Sequence, residues 1–254
     1  MKIKNFLSLL FILTLFCGCS RSAYKKEQKN LTEKISLIEP VYKEDLPFKK
    51  ITPNTLKKNS KTTSKVIIVL DAGHGGEDFG THSLGKIKYQ EKNLNLSTTL
   101  LVKKILEQYG YQVLMTRKTD TFISLENRAH FANTQNSKLF VSIHYNSAPS
   151  QDAEGLEVFY YRDEANKKRT TQSKLLAQAI HDRTIQNTHA KSRGVKIGNY
   201  SVIRETEMPA ILIEGGFLTH TKEMEKIKDP RYMKNIALGI AQGIQDYLKK
   251  EDVS

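Results

Sequence analysis

Four residues of this chain have the types that a hydrolytic metal centre needs: His74, Glu91, His144 and Glu214. Three of them stand at or just beyond the ends of apolar runs. His74 follows VIIVL (66–70), His144 follows LFVSI (139–143), and Glu214 ends AILIE (210–214). Glu91 opens an amphipathic stretch. Catalytic zinc takes three protein ligands and leaves its fourth position to water. It lowers the pKa of that water and polarises a substrate carbonyl. A further carboxylate must then take the water's proton and pass it to the leaving group. Two imidazoles and two carboxylates satisfy that count.

Taken singly, each has a plainer reading. Glu91 is the kind of first-turn acid that a helix dipole favours. His144 fits a core histidine with satisfied partners. Glu214 precedes Gly215 and Gly216 and fits a turn, and His74 sits in a glycine-rich turn of its own. The joint placement points to chemistry. The other histidines, His82, His130, His181, His189 and His220, follow no strand-end pattern and read as surface or structural.

Positioning these groups requires strands that deliver them to one edge. The apolar runs at 66–70, 112–116, 139–143 and 210–214 read as strands, as does the alternating GLEVFYY at 155–161 and the short SVI at 201–203. Apolar residues at helical spacing predict helices at 91–109, 125–133, 173–186 with Ser173 as N-cap, and 232–248. Strands alternating with helices define an α/β fold: a single three-layer domain, with a mainly parallel or mixed sheet of about six strands flanked by helices on both faces. Such sheets gather ligands outside the carboxyl ends of their strands.

The domain does not fill the 254 residues. Lys2 and Lys4 precede an apolar stretch at 6–16, the pattern of an export signal too short to be a membrane span. Both cysteines, Cys17 and Cys19, lie at its end, and Gly18-Cys19 resembles the close of a bacterial lipobox, with lipidation at Cys19. The expected division is a lipoprotein-type signal at 1–19, a basic flexible linker at 20–64 and a catalytic domain at 65–250. The linker has eleven Lys/Arg against five Asp/Glu and no glycine, as befits a solvated tether. A helix at 31–38 is expected within it. No cysteine remains in the body, so a metal site there must use His, Asp or Glu. The net charge of +13 favours anionic partners. No aromatic-interleaved basic cluster or zinc-finger spacing supports nucleic acid as one of them.

An ordered set of motifs across about 65–248 resembles the type-3 family of zinc-dependent N-acetylmuramoyl-L-alanine amidases. VIIVLDAGHGGEDFG (66–80) is similar to that family's opening strand and metal loop. YQEKNLNLSTTLLVKKILEQYGYQVLMTRKTDTFISLENRAHFAN (89–133) resembles its glutamate ligand, first helix, Thr-Arg-x-x-Asp turn and Arg…Ala-Asn helix. LFVSIHYNSAP (139–149) and VIRETEMPAILIEGGFLTH (202–220) resemble its second-histidine and catalytic-glutamate strands. The resemblance implies one zinc ion per chain on His74, Glu91 and His144, with Glu214 as general base and acid and Arg204 near substrate. It implies cleavage between N-acetylmuramic acid and L-alanine in peptidoglycan or muropeptides. The export signal then implies a periplasmic protein anchored to the membrane by lipid on Cys19, and a monomer is expected.

Ala72, Tyr145 and Thr219-His220 depart from the family pattern without removing a ligand, and Tyr145 is placed to alter substrate access. Some members carry an inserted helix that blocks the site. Here too few residues follow 155–161 to form one, so an open site is expected. Two rivals stand beside this reading. One is a stem-peptide carboxypeptidase that uses the same zinc, or Ser83 of the Ser-x-x-Lys stretch SLGK (83–86). The other is a wall-binding lipoprotein without turnover.

Overall fold

The computed structural model describes residues 66–251. In chain order the elements are β1 (Ile67–Ala72), α1 (Glu91–Gln108), β2 (Gln112–Met115), α2 (Leu125–Thr134), β3 (Leu139–Asn146) and β4 (Leu156–Tyr160). They continue as α3 (Lys167–Thr188), β5 (Ser192–Ile197), α4 (Ser201–Arg204), β6 (Ala210–Phe217), α5 (Thr221–Ile227) and α6 (Pro230–Glu251). The signal, the lipidation site at Cys19, the basic linker and the helix expected at 31–38 all lie outside the described residues.

The six strands form one sheet in the order β2-β1-β3-β6-β4-β5. β1 runs parallel to β2 and β3, and β3 runs parallel to β6. β4 is antiparallel to β6, and β5 is parallel to β4. The sheet is therefore mixed, with its change of direction at the β6–β4 seam.

Side chains alternate across a strand, so each strand feeds two cores. Ile68, Leu70, Val141, Ile143, Ile211 and Ile213 face α1, α3 and α6 in the larger cluster. Val69, Phe140 and Leu212 face the other way, against Ala132 of α2 and Val202 and Ile203 of α4. Because both faces are covered, the central strands are continuous apolar runs rather than alternating ones. Helices α3 and α6 meet closely. A Cβ at Gly243 would stand 2.4 Å from Ile180 Cα, and one at Gly239 2.4 Å from Thr184 Cα. Only glycine allows the two backbones to approach so far.

Three expectations change. Helix α3 begins at Lys167 rather than at Ser173. Asn166 caps it, accepting from Arg169 N at 3.0 Å. Arg169 is buried in that first turn and donates to Met208 O and Ile203 O. A helix turn fixed by a buried cation has no apolar periodicity to announce it. Ser173 lies inside the helix, where its Oγ accepts from Ala210 N at 3.1 Å.

The SVI stretch at 201–203 is not a strand but the single turn α4, which buries Val202 and Ile203. The sixth strand is instead β5, SRGVKI, a half-exposed edge strand paired only with β4. Edge position explains its polar sequence. The short helix α5, capped by His220 accepting from Glu223 N at 3.1 Å, completes the turn after β6. Among the described residues, no helix is long and apolar enough to cross a membrane.

Candidate metal centre and catalytic cleft

β1 ends at Ala72, and His74 stands two residues on with φ of 59°, in the left-handed region. A non-glycine residue held there costs free energy, so neighbouring contacts must impose it. Two buried guanidinium groups do so. Arg128 of α2 donates to Ala72 O at 2.7 Å and to His74 O at 2.7 Å. Arg117, just after β2, donates to Ala72 O and Gly73 O, each at 2.8 Å. Asp71, fully buried, accepts from Arg128 Nη1 at 2.8 Å, from Thr116 Oγ1 at 2.6 Å and from Ser142 Oγ at 2.7 Å. Gly73 must lack a side chain, because a Cβ there would lie 2.1 Å from the His144 ring.

The His74 ring is held at both ends. Nδ1 meets Asp78 Oδ2 at 2.8 Å, and Nε2 meets Glu91 Oε2 at 3.1 Å. Asp78 is thus an orienting acid, while Glu77 is exposed. Glu91 is the first residue of α1, and its carboxylate is 5% exposed. Its other oxygen, Oε1, meets His144 Nδ1 at 2.8 Å. Thr81 N and Asn95 Nδ2 also donate to this carboxylate.

Three ligand atoms from His74, Glu91 and His144 all lie within 4.8 Å of one another. Bonds of about 2.0–2.1 Å to tetrahedral zinc separate neighbouring donors by roughly 3.3 Å. The two imidazole nitrogens meet different oxygens of the Glu91 carboxylate, at 2.8 and 3.1 Å. Two imidazoles and one carboxylate, with ligand atoms gathered within 4.8 Å, are the donor types of a catalytic zinc site. Among the described residues no other His, Cys, Asp or Glu joins this group.

The electrostatics agree with a shared-donor site. Burial pushes the Glu91 carboxyl up, but hydrogen bonds from His144 and His74 outweigh it and hold Glu91 well below the usual carboxylate range. Burial pulls His74 down, yet Glu91 and Asp78 hold its imidazole above the ordinary value. A metal ion and protons compete for these same lone pairs.

Glu214 sits beside the cluster because β3 and β6 place it opposite His144 in the ladder. Its Oε2 is buried with no hydrogen-bond partner. Burial, then the nearby charges of Glu91 and Glu157, push its carboxyl well above the usual range. A carboxyl that holds a proton unusually well, with a free oxygen, is suited to proton transfer. His74, Glu91, His144 and Glu214 all line one cleft of about 410 Å³, whose rim includes Leu125, Tyr200 and Ser201.

The remaining candidates sort clearly. Arg204 is in α4 beside the rim but does not line the cleft, and its guanidinium is engaged by Glu205 and by Asn199 Oδ1. Ser83 is buried in the loop before α1, where its Oγ accepts from Tyr89 N at 2.9 Å. It is not on a helix and Lys86 is exposed, so the Ser-x-x-Lys geometry does not form. The Tyr145 ring packs into the core, with its hydroxyl 2.7 Å from Thr98 Oγ1, and the residue also forms part of the cleft lining beside His144. The link between β4 and α3 holds no inserted helix. No local stretch of sequence marks the grip of Arg117 and Arg128 on this loop, because the Gly73 and His74 carbonyls they hold lie more than forty residues away.

Metal-dependent amide hydrolases divide their work in this way: one donor set holds an ion and a separate carboxylate carries protons. The His74–Glu91–His144 donor set and the separate carboxyl of Glu214 match that division. The family model described as N-acetylmuramoyl-L-alanine amidase matches residues 68–246, and the chain belongs to that family. The family is generally zinc-dependent.

The chain is 36% identical over 182 residues to the sporulation-specific N-acetylmuramoyl-L-alanine amidase of Bacillus subtilis, covering 71% of this chain and 67% of that one. It is 35% identical over 198 residues to the probable cell wall amidase LytH of Staphylococcus aureus, covering 78% and 62%. It thus spans about two thirds of the length of these curated relatives. The crystal structure of N-acetylmuramoyl-L-alanine amidase from Clostridium difficile 630 is similar at 37% identity and a TM-score of 0.70, with 74% of this chain and 100% of that one covered.

Proposed function

We propose that this chain is a peptidoglycan hydrolase, cutting the amide between the lactyl group of N-acetylmuramic acid and the L-alanine that begins the stem peptide. One observation carries the reading. A buried, unpartnered carboxylate oxygen of Glu214 shares a cleft with the His74–Glu91–His144 donor set. Membership of the amidase family supports the choice of bond.

His74, Glu91 and His144 would hold one zinc ion per chain. When bound, the ion supplies a Lewis acid that polarises the carbonyl and lowers the pKa of water to about 7. Glu214 takes a proton from the attacking water as the new C–O bond forms. It returns that proton to the alanine nitrogen as the C–N bond breaks. The muramoyl side leaves as an acid and the peptide as a free amine. The raised proton affinity of Glu214 keeps the proton in place until the amine needs it. Asp78 and Asn95 keep His74 and Glu91 aimed, so little reorganisation is required during the step.

The same reading covers the rest of the chain. Residues 1–19 serve as a lipoprotein-type signal with lipidation at Cys19, residues 20–64 as a basic tether, and residues 65–250 as the catalytic domain. The protein is exported to the periplasm and acts as a monomer from a lipid anchor. A tether of that length allows a local search of the wall.

Mass analysis of digested wall tests the activity. Free stem peptides beginning with alanine support the amidase. Loss of terminal D-alanine alone identifies a carboxypeptidase, and no release identifies a wall-binding protein. Incorporation of labelled fatty acid, lost in Cys19→Ala, tests the anchor.

A further inference from the structure

The ladder sets four positions in a row across the sheet. His144 on β3 pairs with Glu214 on β6, Glu214 pairs with Glu157 on β4, and Glu157 pairs with Gly194 on β5. The first lies on the metal side and the second carries the proton. Glu157 is only 4% exposed. Its Oε1 accepts from Asn146 Nδ2 at 2.8 Å. Its Oε2 accepts from Arg193 Nε at 2.9 Å and from Lys196 Nζ.

Two cations therefore converge on one carboxylate, one strand away from Glu214. One would suffice to neutralise it. Both are part-exposed, the Arg193 side chain at 35% and that of Lys196 at 40%. Among the described residues neither forms an ion pair with a second acid. Arg193 is steadied by the Phe217 ring, 4.9 Å from its guanidinium carbon. At Gly194 a Cβ would meet no atom within 4 Å, so the edge strand is bare beside the pair.

The order of the row has a chemical consequence. On the amidase reading Glu214 protonates the leaving nitrogen, and from Glu214 the row continues away from His144 to Glu157 and β5, a direction that the peptide beyond that nitrogen can take. We infer that Arg193 and Lys196 form a subsite for a carboxylate of the stem peptide, an inference that rests on the amidase reading above. Strands are spaced about 4.8 Å apart, so β5 lies roughly 10 Å from β6. An extended peptide covers that distance in roughly three residues. The subsite therefore selects a stem peptide with a free carboxylate within the first few residues after the amine. A peptide carrying a neutral carboxamide at that position lacks the charge that the second cation is left to pair.

The test compares two synthetic muramoyl peptides that differ only in carboxylate against carboxamide at that position. Zinc-loaded wild type, Lys196→Gln and Arg193→Gln/Lys196→Gln are assayed on both. Binding of the two free product peptides to each protein is measured calorimetrically. A charge-assisted contact predicts that wild type prefers the carboxylate form by about tenfold, through KM and peptide Kd rather than kcat. Lys196→Gln reduces that preference, and it retains the Arg193–Glu157 pair that keeps the strand in place. The double variant abolishes it.

A wild type indifferent to the two substrates overturns the subsite. So does an equal loss on both substrates in Lys196→Gln, which would make the cations mere supports for Glu157. Release of no peptide from either substrate by wild type instead removes the amidase reading, and the subsite with it.

Discussion

His144 and Glu214 are ladder partners on the adjacent parallel strands β3 and β6, although seventy residues separate them in the chain. The pairing puts a metal-ligand candidate and a buried carboxyl with an unpartnered oxygen side by side on the same face of the sheet. A slip of one residue would turn either side chain to the opposite face. The register is secured from both sides, because the strands bury Ile143 and Ile213 in one core and Phe140 and Leu212 in the other.

Glu214→Gln keeps the shape of the side chain but removes its basicity. Turnover should fall by about 10²- to 10⁴-fold. Zinc content, read by elemental analysis after dialysis, should match wild type. Undiminished peptide release by this variant would remove Glu214 from the proton-transfer role.

Zinc binding should stabilise the folded domain, because the donors converge only when β1, α1 and β3 are assembled. At a free zinc concentration of a hundred times Kd the gain is about 2.7 kcal/mol. Differential scanning calorimetry should show Tm rising with zinc in wild type. In His144→Ala the rise should shrink or vanish, and chelation should abolish turnover in wild type. An equal zinc response in both proteins would exclude His144 as a ligand.

Gly73→Ala places a methyl group 2.1 Å from the His144 ring in the present backbone. The ring must move away from its Glu91 contact. Metal affinity should drop by about 10- to 100-fold, as for other losses of ligand orientation. Competition against a chromophoric chelator measures it, and circular dichroism confirms that the sheet persists. Unchanged affinity would mean that the ring has room that the packing denies it.

The buried pair beneath the metal loop sets a pH signature. Burial raises the Asp71 carboxyl. The Arg128 charge and hydrogen bonds from Thr116, Ser142 and Arg128 outweigh it, and the net shift is downward. The folded state therefore binds the Asp71 proton less readily than the unfolded one. The resulting stability is complete above the ordinary value of 3.8 and is lost as pH falls through the lower folded value. Arg128→Met leaves a buried acid unpaired and should cost about 3–5 kcal/mol near neutral pH. Burial then dominates Asp71, so acidification should narrow the gap between variant and wild type. Urea midpoints across pH 3 to 7 measure this, and a gap that widens on acidification would contradict it.

Much of the site was legible in the chain. Runs such as VIIVL and LFVSI are apolar on every residue because helices cover both faces of the sheet. The polar residues that end such runs must emerge at a sheet edge. The cap and first turn of α3 and the edge strand β5 were not legible. Arg169 holds the former through buried hydrogen bonds, and β5 has half-exposed side chains. Neither leaves a periodic apolar trace.

The sequence by itself determined the types of the four site residues, the elements that bear them and the class of fold. Those follow from which side chains leave water, a property that local periodicity records. Only the tertiary structure decided that Arg117 and Arg128 hold His74 in its left-handed turn and that Tyr145 belongs to the core. It alone set Glu157 and its two cations beside Glu214. Each of those outcomes depends on which distant group satisfies a buried donor or charge. That choice is made by strand order and register across the whole sheet, and a local window of sequence carries no record of it.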